Sequence, residues 1–269
     1  LVSRSNKAQN LLPAPQMGCS TIFAQGQATP EGSMYHARNL DYMGVGHWDQ
    51  EQCIIFYHPD QSMPYVSVTS AGIPLGGVTA MNEAGLTLAV HQHLSSLNVE
   101  LGGTPIGVAG DQVMRKAETL QDTIKILDAH PPNVCWTYLI ASAVENAILC
   151  YETTGKGSKH FICKQDSFGY TNFYLNQELA ETETHLYPSQ WRSNQGRYQT
   201  IQEHLNKYHG SLDANHMAQI LGDPGTPGCR INNPLAMLFT VSSTVFLPKE
   251  RLLYVAEGPV PTSQRPYWG

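Results

Sequence analysis

Short β-prone runs punctuated by glycine and proline alternate along the chain with two stretches of helical period. Thr21-Ile22-Phe23-Ala24 reads as one strand and Met34-Tyr35-His36-Ala37-Arg38 as its return, joined by the turn Ala28-Thr29-Pro30-Glu31-Gly32. Runs at Cys53 to Tyr57, Tyr65 to Thr69, Gly77 to Met81 and Leu86 to His91 follow, and their spacing predicts a meander-like antiparallel sheet. The period then changes. Leu120, Ile124 and Leu127 fall at i, i+4 and i+7 behind a Thr119/Asp122 capping pair, so helix is predicted from Pro105 to about His130, before Pro131. Strands return at Trp136 to Ser142, Ala147 to Glu152 and His160 to Lys164. Helical spacing recurs at Tyr198, Ile201 and Leu205 and at Met217 and Leu221 behind an Asp213 cap, and two apolar strands, Leu238 to Leu247 and Arg251 to Ala256, close the chain. This order predicts an α+β fold with helices layered on antiparallel sheets, in a single domain without internal repeats.

Composition narrows the partners. The 269 residues are 41% apolar, enough for a real core, but only 14% charged, so uncharged polar residues must cover much of the surface. A net charge of −6 argues against nucleic acid or an anionic membrane as the main partner and leaves a neutral or acyl-type small molecule. The stretches Ser62 to Asn82 and Ile231 to Pro248 lack charge over membrane-spanning lengths. Pro, Gly, Ser, Thr and Asn interrupt both, however, and they read as strands and turns. Six scattered cysteines contain no Cys-x-x-Cys metal pair and too little density for a disulfide scaffold. Residues 1 to 18 are polar, carry Pro13 and Pro15, and suit a linker or propeptide.

Candidate chemistry concentrates in the first hairpin. A thiol, a guanidinium and a carboxylate, Cys19, Arg38 and Asp41, lie within 23 residues, and the hairpin would return the last two beside the first. Taken alone, a buried structural cysteine with a surface ion pair explains these residues equally well. Asn82 precedes Gly85 in a turn, where a simple turn former is the plainer account. His91-Gln92-His93 would put two imidazoles on one strand face, half of a zinc site, yet no third ligand follows from spacing, and solvent-facing or pocket-lining histidines account for them better. Gly222 to Gly228 is glycine-rich but lacks the Lys-Ser/Thr ending of a phosphate loop and reads as a surface loop.

The ordered set Gly18-Cys19-Ser20-Thr21, Arg38-Asn39-Leu40-Asp41-Tyr42, Met81-Asn82-Glu83-Ala84-Gly85-Leu86, Tyr170-Thr171-Asn172 and Ser193 to Arg197 resembles the N-terminal-nucleophile cysteine hydrolases. The resemblance is to the group of isopenicillin N acyltransferase, penicillin V acylase and choloylglycine hydrolases, with acid-ceramidase-like relatives. It implies an αββα sandwich of two antiparallel sheets covered by helices. It also implies self-cleavage at the Gly18-Cys19 junction, so that residues 1–18 leave and residues 19–269 form the mature hydrolase domain. The chemistry is consistent with that cut, since a thiol needs a base and a free α-amine can take its proton where an amide nitrogen cannot.

By the same resemblance Cys19 is the nucleophile, Asp41 holds the new amine and Arg38 sits beside the sulfur. Asn82 matches the oxyanion donor, and Asn172 and Arg197 support the amine and the site. Two departures stand out. Ser20-Thr21 replaces the usual Thr-Ser, and Phe173 follows Asn172 where acyltransferase relatives often carry His. The expected activity is hydrolysis of a linear amide C–N bond through an acyl thioester, without cofactor or metal, on a small-molecule acyl amide. Acyl transfer to another amine is the variant, and a non-catalytic ligand-binding protein of the same fold is the rival. The loop residues Met43, Trp48, Phe173, Tyr174 and Leu175 predict an apolar acyl pocket. A homo-oligomer and the compartment both stay open.

Overall fold

Strand β1 (Gly18–Gly26) is buried from Gly18 to Gln25, because each of its faces meets a different layer. Ile22 and Ala24 pack with Ile201, Leu205, Met217 and Ile220 of two helices, whereas the intervening Phe23 packs with Ala89, Leu139 and Ile148 of a second sheet. The strand period of two sends successive side chains to opposite sides, so a strand sandwiched this way must be apolar or hydrogen-bonded on both.

The computed structural model describes residues 18–73, 76–93, 98, 100–184, 188–225 and 234–269. The lead-in 1–17, residues 226–228 of the glycine-rich loop and the start of the 231–248 stretch therefore lie outside the described residues.

The remaining strands are β2 (Gly32–Asp41), β3 (Gln52–Tyr57), β4 (Tyr65–Ser70), β5 (Thr79–Asn82), β6 (Leu86–Gln92), β7 (Trp136–Ser142), β8 (Ala147–Thr154), β9 (Gly157–Cys163), β10 (Ser167–Tyr170), β11 (Thr240–Leu247), β12 (Leu252–Ala256) and β13 (Tyr267–Trp268). One sheet runs β10-β1-β2-β11-β12-β13. The other follows chain order from β3 to β9, which is the predicted meander extended by three strands. All pairings between these strands are antiparallel.

Helices α1 (Ile106–Lys116) and α2 (Leu120–Ala129) cover the outer face of the seven-stranded sheet, where Val113, Met114, Leu120, Ile124 and Leu127 meet Leu86, Leu88, Val90 and Ile140. The Thr119 hydroxyl accepts from the Asp122 amide and starts α2, a cap worth about 1 kcal/mol. After a short α3 (Gln177–Ala180), helices α4 (Pro188–Lys207) and α5 (Ala214–Leu221) cover the six-stranded sheet, α5 beginning at the expected Asp213 cap. The layers are thus helix, sheet, sheet, helix: the αββα sandwich. Among the described residues no helix is long and apolar enough to cross a membrane.

Candidate active site

The β1–β2 register decides which side chains can meet. Gly18 lies opposite Asp41, Cys19 opposite Leu40 and Thr21 opposite Arg38. Cys19 and Arg38 are diagonal neighbours on the face toward the second sheet, within reach of a long side chain. Asp41 faces the helix side with Gly18. Arg38 donates from Nη2 to Cys19 Sγ at 3.3 Å and to Val90 O at 2.8 Å, and from Nη1 to Val78 O at 2.7 Å and to the Thr79 hydroxyl. This guanidinium is buried and tied to three backbone or hydroxyl oxygens, so it holds a fixed positive charge against the sulfur.

The backbone of Cys19 is gripped from the other side. Its N–H donates to Asn172 Oδ1 at 2.6 Å, and Arg197 Nη1 donates to its carbonyl at 2.6 Å and to Ser20 Oγ at 2.9 Å. Arg197 Nη2 closes the set on Asn172 Oδ1 at 3.1 Å and Asn194 Oδ1 at 2.7 Å. A β-carbon at position 18 would come within 2.6 Å of Arg197 Nη2 and 3.2 Å of Asn172 Oδ1, so this packing requires glycine before the cysteine.

Asp41 Oδ1 accepts from the Thr240 hydroxyl at 2.6 Å, while Oδ2 is buried without a hydrogen-bond partner, 4.0 Å from Arg197 Nη1. Burial raises the Asp41 carboxyl from its ordinary value to about 6, against the opposing pull of Arg197, the Thr240 bond and Arg38. Burial likewise pulls Arg197 below its usual range, and Asp41 opposes that shift. Cys19, Arg38, Asp41, Asn172 and Arg197 therefore come together as expected.

Asn82 does not join them. Its Oδ1 accepts from Leu86 N at 2.9 Å, and its Nδ2 donates to Ala117 O at 2.9 Å and Met114 O at 3.2 Å, tying the β5–β6 turn to the C-terminal end of α1. Both amide protons are used and the residue does not line the cavity at Cys19, so the expected oxyanion position is not occupied by this side chain. Gln92 at the far end of β6 does line that cavity. Its side-chain oxygen is buried without a partner, and its backbone carbonyl accepts from Asn172 Nδ2 at 2.8 Å. The sequence drew attention to this position only through its flanking histidines. The run Leu86 to His91 ending in the polar Gln92 was the available signal, and in the structure that strand is buried throughout except at Gln92.

The flanking histidines themselves are neither solvent-facing nor pocket-lining. His91 Nε2 pairs with the Thr21 hydroxyl at 2.8 Å and His93 Nε2 with the Thr137 hydroxyl at 2.7 Å, both rings buried between the sheets. Burial, then the Arg38 charge, keeps His91 far below its ordinary value and His36 down at about 3, so both imidazoles are neutral. No group of metal ligands occurs among the described residues, and none of the five described cysteines forms a disulfide.

A cavity of about 300 Å³ opens at Cys19. Its walls are Leu40, Tyr42, Trp48, Ile73, Val78, Val90, Ile106 and Trp136, with Gln92, Arg38, Asp41 and Asn172 as the polar groups. The apolar character matches expectation, but the residues differ. Of the five anticipated, only Trp48 lines the cavity. Met43 is exposed, Phe173 packs on Trp191 and Tyr198, Tyr174 stacks on His93 at 4.0 Å, and Leu175 packs between the sheets.

The fold is shared with solved structures of low identity. An N-acylethanolamine-hydrolyzing acid amidase ortholog from Caenorhabditis elegans is 18% identical with a TM-score of 0.57, covering 86% of this chain and 93% of that one. The penicillin V acylase from Agrobacterium tumefaciens is 14% identical, with a TM-score of 0.60 and coverage of 90% and 84%. A mutant conjugated bile acid hydrolase from Clostridium perfringens is 13% identical, with a TM-score of 0.55 and coverage of 89% of each chain. No curated protein matches the chain. The family described as acyl-coenzyme A:6-aminopenicillanic acid acyl-transferase matches residues 28–259, a span that begins after Cys19 and includes Arg38, Asp41, Gln92, Asn172 and Arg197. With most of its length matched and the αββα layers in place, the chain belongs to that family, within the N-terminal-nucleophile cysteine hydrolases.

Proposed function

We propose that the protein is an amidohydrolase that cleaves a linear amide through an acyl thioester on Cys19, after freeing that residue by self-cleavage. The observation that carries this reading is the environment of the sulfur. Arg38 donates to it at 3.3 Å, and among the described residues no hydrogen bond joins it to an imidazole, His36, His91 and His93 pairing instead with threonine hydroxyls. The base must then come from Cys19 itself. The names of the structural neighbours, an acid amidase, an acylase and a bile acid hydrolase, support the same bond class.

In maturation the Cys19 thiol attacks the Gly18 carbonyl carbon, the C–N bond breaks, and the resulting thioester is hydrolysed by water. Residues 1–18 leave as a carboxylic acid and the α-amine of Cys19 is free. That amine takes the place of an amide N–H already aimed at Asn172, and as an ammonium it can also donate to the orphan Asp41 Oδ2. In turnover the amine removes the thiol proton, the thiolate attacks the substrate carbonyl, and the Gln92 carboxamide donates to the developing oxyanion. The ammonium then protonates the departing amine. Water, deprotonated by the α-amine, releases the acid and restores the thiol. Arg197 fixes the Cys19 carbonyl throughout.

The cavity is at the small end of ligand pockets, its walls are mostly apolar, and the Nη atoms of its lining Arg38 are held by Val78, Thr79 and Val90, which favours a neutral, apolar acyl group selected by shape. A series of acyl 4-nitroanilides of increasing chain length tests this, with cleavage expected to rise with apolar chain length until the cavity is filled. Faster cleavage of short charged acyl groups would contradict it. Acyl transfer is a second reading, favoured by the matched family's description, and adding a nucleophilic amine at constant substrate separates the two by product ratio.

A further inference from the structure

Glu152 is a fully buried carboxylate on β8, outside the cavity and unused by the chemistry above. Burying a carboxylate is strongly unfavourable unless hydrogen bonds replace its water. Here three do. Oε1 accepts from Leu175 N at 2.6 Å and Tyr170 Oη at 2.9 Å, and Oε2 accepts from Asn176 N at 2.8 Å.

The donors fall on both sides of Asn172, two residues before it and three and four after, so one carboxylate closes the loop that carries Asn172. Tyr170 lies opposite Thr21 on β1, which fixes the near end of that loop two residues along from the nucleophile. The neighbouring Thr153 carbonyl accepts from Tyr174 Oη at 2.8 Å and secures the same segment. Burial and the Glu152 charge keep the Tyr170 hydroxyl protonated, as a donor. The loop belongs to the six-stranded layer and Glu152 to the seven-stranded one, so the carboxylate is a strut across the sandwich.

We propose that Glu152 is a positioning residue for Asn172: it sets the loop so that Asn172 Oδ1 meets Cys19 N and Arg197 together. This rests on the reading of Cys19 and Asn172 as the reacting centre. Charge and bidentate geometry are both required, since an amide at 152 would turn an N–H toward one of the two backbone N–H groups.

The test uses full-length Glu152→Gln, Tyr170→Phe, Asn172→Ala and, as a stability control on the same strand, Leu149→Val. Acyl 4-nitroanilide turnover is corrected for the folded fraction, and Cys19 alkylation by iodoacetamide is followed by intact mass. Glu152→Gln is expected to lower kcat about tenfold or more at nearly constant KM and to slow alkylation of Cys19, because the acyl cavity is untouched. Tyr170→Phe moves the same way by less, and Leu149→Val lowers Tm without changing kcat of the folded enzyme. Asn172→Ala inactive with Glu152→Gln at wild-type kcat overturns the positioning role and leaves the site standing. Asn172→Ala with wild-type kcat overturns both. A Glu152→Gln protein that only loses Tm, as Leu149→Val does, also overturns the proposal.

Discussion

The two ends of strand β6 carry side-chain amides with opposite commitments. Asn82, at the turn leading in, makes three hydrogen bonds to backbone groups and none toward the cavity. Gln92, the last residue, lines the cavity; its Oε1, an acceptor, is buried without a partner, and its Nε2, the atom able to donate to a ligand, makes no hydrogen bond to the described residues. Both are amides on one sheet, and residue type alone does not tell them apart. Polar groups whose bonds are all spent belong to the scaffold, and those left unspent in a buried setting are available to a ligand.

The largest expected effect is at the free end. Gln92→Leu should lower kcat by about 10² to 10³, equivalent to about 2.7–4 kcal/mol of activation energy, with Tm nearly unchanged. Steady-state kinetics beside thermal unfolding reads both, and wild-type kcat would remove Gln92 from the oxyanion role.

The same contrast extends to Asp41, whose Oδ2 is the unspent carboxylate atom. In the uncut chain its carboxyl titrates at about 6 in the folded state against 3.8 in a model peptide, so the folded state binds this proton more tightly. The contribution to stability is therefore fully present below pH 4 and lost as pH rises through 6, a change on the order of 3 kcal/mol. His36 and His91, held neutral in the folded state, contribute the opposite slope, so the decline is read as the difference in denaturant unfolding between uncut Cys19→Ala and Cys19→Ala with Asp41→Asn, which should shrink between pH 4 and 7. An unchanged difference would place the titration elsewhere.

At the committed end, Asn82→Ala leaves Leu86 N, Met114 O and Ala117 O without their partner and should cost about 2–3 kcal/mol of stability. Its folded fraction should keep kcat within about twofold, since the group makes no contact with the reacting atoms. A large loss of kcat without loss of stability would reverse the comparison. The smallest effect is at the wall, where Trp48→Phe should raise KM for the longest acyl chains a few-fold and spare kcat, as a contact equal in ground and transition states does.

How much of this was legible follows from sequence distance. The hairpin uniting Cys19 with Arg38 and Asp41 is local, so turn chemistry and strand period sufficed, and the two helix caps were readable for the same reason. Asn172 and Arg197 reach Cys19 across 153 and 178 residues, and only the family pattern pointed to them. Strand β10 was missed because it spans four residues after a polar turn and owes its existence to pairing with distant β1. The cavity wall was assigned from loops adjacent in sequence to the motif. The structure draws it from strands β2, β6 and β7, the start of α1 and the loop residues Tyr42, Trp48, Ile73 and Val78, segments that converge only in the layered fold.

The central claim is that Cys19, freed at its own amino terminus, is the nucleophile. Intact mass and amino-terminal sequencing of wild type and Cys19→Ala, read beside acyl amide hydrolysis, test it most directly. The account predicts active wild type beginning at Cys19 and a folded, uncut, inactive Cys19→Ala chain. Hydrolysis by Cys19→Ala at a wild-type rate, or full activity of a wild-type chain still carrying residues 1–18, would contradict it.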